Sequence, residues 1–495
     1  MMEQDKYIIS IDQSTQGTKA LLFDRTGRLL CRADRTHRQI VNDLGWVSHD
    51  GEEIYRNVIA VIRDLLHKSA IDSRKVAGLS ISNQRETSLI WDKATGRPLN
   101  HAVVWQCARA TEICERPDIS ALKEIVPEKT GLRLSPYFPA AKLCWLLENT
   151  KEAGELAGKH QLCLGTMDAY LVFRLTQGMS YRTDYSNASR TQLFNLFSLT
   201  WDEELCRAFG ICPEDLPEVT DSDACFGMTD CEGTFAQPIP ICGVMGDSHA
   251  ALFGQNCRKR GLTKTTYGTG SSIMMNIGEK PIISRKGIVT SLAWGRSGQA
   301  EYVLEGNLNY TGAVITWLKD DLKMIACAGE TEKLAEEAHQ GDALYLVPAF
   351  TGLGAPYWDS HARAAITGMD RNTGRREIVR AGLECIAYQI ADIIQVMEEE
   401  SGIEVAELRV DGGPTRNRYL MQFQSDILKK KVAIPQAEEL SGIGAAYMAG
   451  LALHIWGEEI FHNLERTLYT PKMDEKTADK KQKGWKEAVT KVIRA

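Results

Sequence analysis

The chain has 495 residues, 43% of them apolar and 25% charged, with 41 Gly, 15 Pro and 13 Cys. Those proportions exclude collagenous, low-complexity and extensively disordered proteins, and the length allows two or three domains. The 58 Lys and Arg against 65 Asp and Glu give a net charge of −7, so no nucleic-acid partner is expected.

No window approaches the roughly 18 uninterrupted apolar residues that span a bilayer, and no membrane partner is expected. The opening MMEQDKYIISIDQST meets acidic residues before any apolar run, unlike a secretory signal. The cysteines are scattered from Cys31 to Cys385 without a C-x-x-C pair, which points away from a disulfide framework and a structural zinc site. A cytoplasmic location is the expectation.

In chain order, Tyr7 to Asp12 reads as a strand, Gln13 to Lys19 as a polar turn and Ala20 to Phe23 as a second strand. Asp24 to Arg28 then turns into a third, so the start is an antiparallel meander. Small residues in the first turn would let backbone N–H groups and hydroxyls approach an anion. Ile54, Val58, Val61, Ile62 and Leu65 recur at helical spacing, and Gly78 to Ser82 reads as another strand, so the chain is α/β. A second hairpin runs from Lys264 to Met275 around Gly268-Thr269-Gly270. Two such turns in two halves suggest a ligand held between related domains, 1–253 and 254–495. Val379, Leu383, Ile386, Ile390, Ile393 and Met397 predict a core-facing helical stripe that Gly402 stops. Leu408 to Asp411 reads as a strand entering Gly412-Gly413. The small residues from Gly442 to Gly450 predict a closely packed helix, and the tail after Pro471 a solvated one.

No G-x-x-x-x-G-K-[ST] loop is present, and Gly268 to Ile273 fails G-x-G-x-x-G at its last position, which disfavours P-loop and protein-kinase chemistry. What remains is a set of Gly/Thr/Ser turns and strand-terminal aspartates, suited to a nucleotide with a metal ion.

Taken together and in order, Asp12-Gln13-Ser14-Thr15, Asn83-Gln84-Arg85-Glu86-Thr87, Val104-Trp105-Gln106-Cys107, Tyr137 to Trp145, Thr183 to Thr191, Gly246-Asp247, Tyr267-Gly268-Thr269-Gly270, Pro348 to Trp358 and Asp411-Gly412-Gly413 resemble the FGGY carbohydrate kinases. Within that family the glycerol kinases are the nearest match, over essentially the whole chain. The resemblance implies a two-domain fold of the actin, hexokinase and Hsp70 type, with mixed sheets flanked by helices around a central cleft. It implies ATP and Mg²⁺ as cofactors and a small polyol or sugar as substrate. Asp12 would then be the metal-linked carboxylate, and Thr15, Gln16, Lys19, Gly268, Thr269, Gly312, Thr316, Gly413 and Asn417 would lie at the nucleotide. Arg85, Glu86, Trp105, Tyr137, Asp247, Ser248 and Ser272 would enclose the acceptor. A homodimer or homotetramer is compatible with the resemblance.

The chemistry of these residue types agrees. A primary alcohol is a poor nucleophile at neutral pH, and Asp247 is the best candidate for the carboxylate that takes its proton; a helix N-cap is the competing role. Arg85-Glu86 reads either as a solvated ion pair or as a donor and acceptor set facing hydroxyls. Trp105 and Tyr137 read either as core or as pocket walls.

The departures from the family are Ser248 for the usual Gln, Ser272 for the usual Phe, Ser14 for Gly and Lys19 for Arg. The first two predict a wider, more polar pocket, so a four- or five-carbon polyol or a ketose stands beside glycerol as acceptor. Residues 231–238 lack the Gly and Arg that bind fructose 1,6-bisphosphate in regulated bacterial members, and that control is expected to be absent. An actin-like or chaperone-like ATP-driven switch is the rival of another class.

Overall fold

The computed structural model describes residues 6–339 and 344–493. Strand β1 (Tyr7–Gln13) carries Ile8, Ile9 and Ile11, all fully buried, as a central strand covered on both faces requires. It pairs antiparallel with β2 (Gly17–Phe23), which pairs with β3 (Leu29–Thr36). The turn is shorter than expected. Ser14 donates to the Gly17 carbonyl through its amide (2.8 Å) and its hydroxyl (3.0 Å), so pairing resumes at Gln13 and Thr18 and places Lys19 opposite Asp12. At Gly17 a Cβ would lie 2.6 Å from the Arg35 carbonyl oxygen, a close approach that only glycine allows.

Helix α1 (Gly51–Ser69) starts at Asp50, whose carboxylate accepts from the amides of Glu52 and Glu53, and it buries the five apolar residues named above. Strand β4 (Val76–Asn83) lies parallel to β1, and helix α2 (Pro139–Asn149) begins on a proline. Strands β5 (Cys225–Thr229) and β6 (Ile239–Gly246) complete a six-stranded sheet in the order β5-β6-β4-β1-β2-β3, and α3 (Asp247–Gly254) follows β6 directly.

The second half repeats this plan. Strands β7 (Thr263–Tyr267), β8 (Ser271–Gly278), β9 (Val289–Arg296) and β10 (Gln299–Leu308) form an antiparallel set, followed by α4 (Gly312–Thr316) and the long α5 (Arg375–Ser401). The predicted stripe from Val379 to Met397 is buried throughout, and Gly402, at φ 64°, caps α5 in the left-handed region. Then come β11 (Glu407–Gly412), α6 (Arg418–Leu428), β12 (Lys431–Pro435), α7 (Leu440–Ala452), β13 (Arg466–Tyr469) and α8 (Glu475–Thr490). The seven-stranded sheet runs β9-β10-β8-β7-β11-β12-β13, with β7, β11 and β12 parallel as β1, β4 and β6 are in the first.

Two helices late in the chain pack in ways their sequence does not announce. Helix α7 belongs to the second half by sequence yet packs on β1, β4, β6 and α3. Its crossing with α3 is backbone on backbone, since a Cβ at Gly444 would sit 1.8 Å from the Ala250 carbonyl oxygen. The tail helix α8 is not wholly solvated: Trp485 is buried and its indole N–H donates to Asp392 of α5 at 2.7 Å. A single aromatic with a buried polar partner outweighs an otherwise charged sequence there.

Gly444→Ala should destabilise the protein by about 1–3 kcal/mol through overpacking of the α3–α7 crossing, read as a lower urea midpoint. An unchanged midpoint would show that the crossing relaxes freely.

Candidate active site

Asp12 is the penultimate residue of the central strand β1, paired with Lys19 on one side and Ser82 on the other. One carboxylate oxygen accepts from the Ser82 hydroxyl (3.1 Å) and the other lies 3.7 Å from the Lys19 ammonium. Burial raises the Asp12 pKa to about 6 against the opposing charge of Lys19, with nearby Asp247 adding to the rise. The Lys19 ammonium is itself bonded to Glu439 at 2.6 Å. Thr15, at the tip of the turn, accepts from the indole N–H of Trp105 (2.9 Å), which leaves its hydroxyl hydrogen free to donate. Gln16 is exposed beside it.

Arg85 and Glu86 follow β4 and are not a solvated pair. Arg85 is 7% exposed and Glu86 2%. The Arg85 guanidinium forks onto Glu305 of β10 at 3.0 and 2.9 Å, and its Nε lies 3.3 Å from Asp247. Arg190 donates to Glu86 (2.6 Å) and to Glu305 (2.7 Å), and the Ser272 hydroxyl donates to Glu305 at 3.1 Å. Burial alone would raise the Glu305 pKa, but the charges of Arg190 and Arg85 hold it well below its ordinary value. Glu86 sits at φ 60°, a left-handed conformation uncommon for a residue with a side chain and persistent only where surroundings fix it. Trp105 and Tyr137 meet edge to face, ring centroids 5.8 Å apart, and both keep part of their surface exposed.

Asp247 is the first residue of α3, after the N-cap Gly246. Its Oδ1 accepts from the Ser248 amide at 2.6 Å, and its side chain is 36% exposed. Desolvation raises its pKa although Arg85 opposes the rise. A carboxylate with one oxygen held and the other turned to solvent is suited to accept a proton.

Across the cleft, the turn Gly268-Thr269-Gly270 joins β7 to β8. The Gly268 amide donates to the Gly270 carbonyl (2.8 Å), and the Gly312 amide at the start of α4 donates to the Gly268 carbonyl (3.0 Å). A Cβ at Gly312 would lie 2.7 Å from that carbonyl oxygen. Gly312, Thr316, Gly413 and Asn417 line one cleft of about 880 Å³, together with Ile315, Ala328, Gly329, Thr331, Leu383 and Ile386. Thr269 and Thr316 border an adjoining hollow of about 330 Å³. A Cβ at Gly413 would meet nothing within 4 Å, so the backbone there is open to a ligand, while Asn417 caps α6 and donates to Thr331 at 3.0 Å.

The protein thus presents hydroxyl-bearing turns, a buried fork of charges and a partly exposed carboxylate, with an open cleft in the second half. Residues 7–254 match the N-terminal domain of the FGGY family of carbohydrate kinases, and residues 263–453 match its C-terminal domain. The chain belongs to that family. It is 43% identical over 494 residues to the glycerol kinase of Alkaliphilus oremlandii, covering 99% of this chain and 98% of the relative. To the glycerol kinase of Brevibacillus brevis it is 45% identical over 491 residues, 98% of each chain. The crystal structure of Plasmodium falciparum glycerol kinase with ADP superposes with a TM-score of 0.93 at 34% identity, covering 99% of both chains. The xylulose kinase of Lactobacillus acidophilus, at 24% identity and a TM-score of 0.87 over 98% of this chain and 97% of its own, shares the fold.

The predicted acceptor residues of this family member therefore lie together, and so do four of the predicted nucleotide residues. Sequence reading missed Arg190 and Glu305. The signal for Glu305 was a lone carboxylate inside the apolar strand Val303-Leu304-Glu305-Gly306, which can be buried only if paired. Glu305→Gln should lower stability by about 3 kcal/mol, because Arg190 and Arg85 lose a buried counter-charge. A carboxyl with a depressed folded pKa stabilises above its unfolded pKa, about 4.3, and that contribution fades as pH falls through the folded value. Urea unfolding at pH 7 and pH 3 should therefore show the parent–variant gap narrowing at the lower pH; equal gaps would contradict the depressed pKa.

Proposed function

We propose that this protein transfers the γ-phosphoryl group of ATP to a terminal hydroxyl of glycerol. The observation that carries the reading is the setting of Asp247, a partly exposed carboxylate held by the Ser248 amide and lying 3.3 Å from Arg85, whose guanidinium belongs to the buried charge cluster. The whole-chain likeness to two bacterial glycerol kinases supports glycerol as the acceptor. In this reading residues 1–253 form the acceptor side and residues 254–495 the nucleotide side.

The acceptor's hydroxyls face Arg85 and Glu86, its carbon chain lies against Trp105 and Tyr137, and Asp247 takes the proton as the alcohol oxygen attacks the γ-phosphorus in line. The hydroxyls of Thr15 and Thr269 face the phosphates, with the backbone of Gly268 beside them. The apolar side of the cleft, Ile315, Leu383 and Ile386, suits a base, with the backbone of Gly413 beside it. Asp12 fits a Mg²⁺ ion bound mainly through water and phosphate: it is one carboxylate, and no group of three acidic, His or Cys ligands occurs among the described residues. When bound there, the ion would neutralise charge on the transferred group. All thirteen cysteines are free thiols, in keeping with a reducing cytosol.

Asp247→Asn should lower kcat by about 10²–10⁴-fold while leaving the affinity for a non-hydrolysable ATP analogue within about twofold. Initial rates and calorimetry check both halves, and retention of more than about a tenth of kcat removes Asp247 from the role of base.

A larger acceptor has one observation in its favour: Ser248 is a short, partly exposed side chain beside Asp247. Against it, the Ser272 hydroxyl is engaged by Glu305. A coupled ADP-release screen over glycerol, dihydroxyacetone, tetritols, pentitols and ketopentoses should rank glycerol first in kcat/KM by about tenfold or more. A leading tetritol or ketopentose would replace glycerol as the acceptor. Polyol-independent turnover stimulated by a protein would favour an ATP-driven switch.

A further inference from the structure

Lys142 lies in the first turn and a half of α2, is 0% exposed, and has no acidic side chain within ion-pairing distance among the described residues. A buried ammonium without a carboxylate partner is costly, so where its hydrogens go is informative. They go to three main-chain carbonyls: Glu86 at 3.3 Å, Trp105 at 3.2 Å, and Tyr137. Those carbonyls belong to the three residues that form the carboxylate and the two aromatic walls of the acceptor pocket. They come from three separate segments, distant by up to 51 positions in the chain, and among the described residues no other side chain hydrogen-bonds to all three.

The donor count explains the residue type. An ammonium has three hydrogens and no acceptor, one for each carbonyl, whereas a side-chain amide has two. The Glu86 carbonyl also follows a left-handed residue, a conformation that the local chain does not favour and that an external donor helps to fix. The ammonium lies 5.7 Å from the Tyr137 ring centroid as well, adding attraction to the face of one wall. Burial lowers the Lys142 pKa to about 7, against which the Glu86 charge acts.

We propose that Lys142 is a positioning residue for the acceptor alcohol: by holding the carbonyls of Glu86, Trp105 and Tyr137 around one point, it sets the spacing of their side chains against the acceptor's hydroxyls and carbon chain. The inference rests on the reading of those three residues as the acceptor pocket. Lys142 touches no substrate. Its influence passes through the backbone, and displacements of about 1 Å in positioning groups are enough to change rates about a hundredfold.

The test compares Lys142→Met, which keeps the unbranched stem and removes the donors, with Lys142→Gln, which keeps two, and with Trp105→Leu, which removes a wall directly. Steady-state kinetics with glycerol and ATP should show the glycerol KM of Lys142→Met raised about tenfold or more, the ATP KM within about twofold of the parent, and Lys142→Gln in between. A glycerol KM within about threefold in Lys142→Met, while Trp105→Leu raises it, overturns the positioning role and leaves the pocket standing. An unchanged glycerol KM in Trp105→Leu overturns the pocket and this inference with it. Both KM values shifting together, or failure of both Lys142 variants to fold while Trp105→Leu folds, makes Lys142 a general structural residue and also overturns the inference.

Discussion

Four charges that cannot reach water organise this protein. Arg85, Glu86, Arg190 and Glu305 come from three regions of the chain and are each at least nine-tenths buried. Singly, any of them would cost several kcal/mol; together they alternate in sign and pair through short, partly bidentate bonds that leave one terminal nitrogen of Arg190 without a partner. Glu305 belongs to the second sheet and the other three to the first half. The orientation of the Arg85 fork and the approach of the two halves are therefore one quantity, since neither changes without exposing an unpaired charge.

The opposite wall of the cleft depends on an absence of side chains. Gly268, Gly270 and Gly312 bring β7, β8, β10 and α4 into backbone contact: a Cβ at Gly270 would lie 2.1 Å from the Leu308 carbonyl oxygen, and one at Gly312 would meet Gly268. The hydrogen bonds from Gly268 to Gly270 and from Gly312 to Gly268 fix the main chain at this crossing. The two walls thus use different means, buried side-chain charge on the proposed acceptor side and tightly packed main chain on the proposed nucleotide side.

Much of this was legible in the sequence. The buried strand Ile8-Ile9-Ser10-Ile11, the 4-3-4-3-4 stripe of α5 and the glycine at its end are local signals of local structure, and they hold. The Gly/Thr turns and Asp247 could be placed by order and resemblance. Three things could not. Gly17 to Lys19 extend β2 because β3 supplies a partner, a long-range fact that turn propensity does not contain. Trp485 docks a charged helix through a bond to Asp392, which lies 93 positions away. Arg190 and Glu305 acquire meaning only as a pair with Arg85 and Glu86, and no spacing rule links residues more than a hundred positions apart.

In the proposed reading of Asp247 as the base, the same electrostatics bounds its strength. Had Asp247 been the N-cap of α3, its carboxylate would have been spent on the amides of the first turn; as the first helical residue it holds only the Ser248 amide and the edge of Arg85. Desolvation makes the carboxylate more basic, which favours removal of an alcohol proton. Carried too far, it would leave the group protonated at neutral pH and unable to accept anything. Arg85 prevents that by placing positive charge 3.3 Å away, yet most of its guanidinium is committed to Glu305. Glu305 therefore acts on Asp247 at one remove: by occupying the terminal nitrogens of Arg85 it keeps the arginine from clamping the base in a full bidentate pair, and an oxygen stays available to the acceptor.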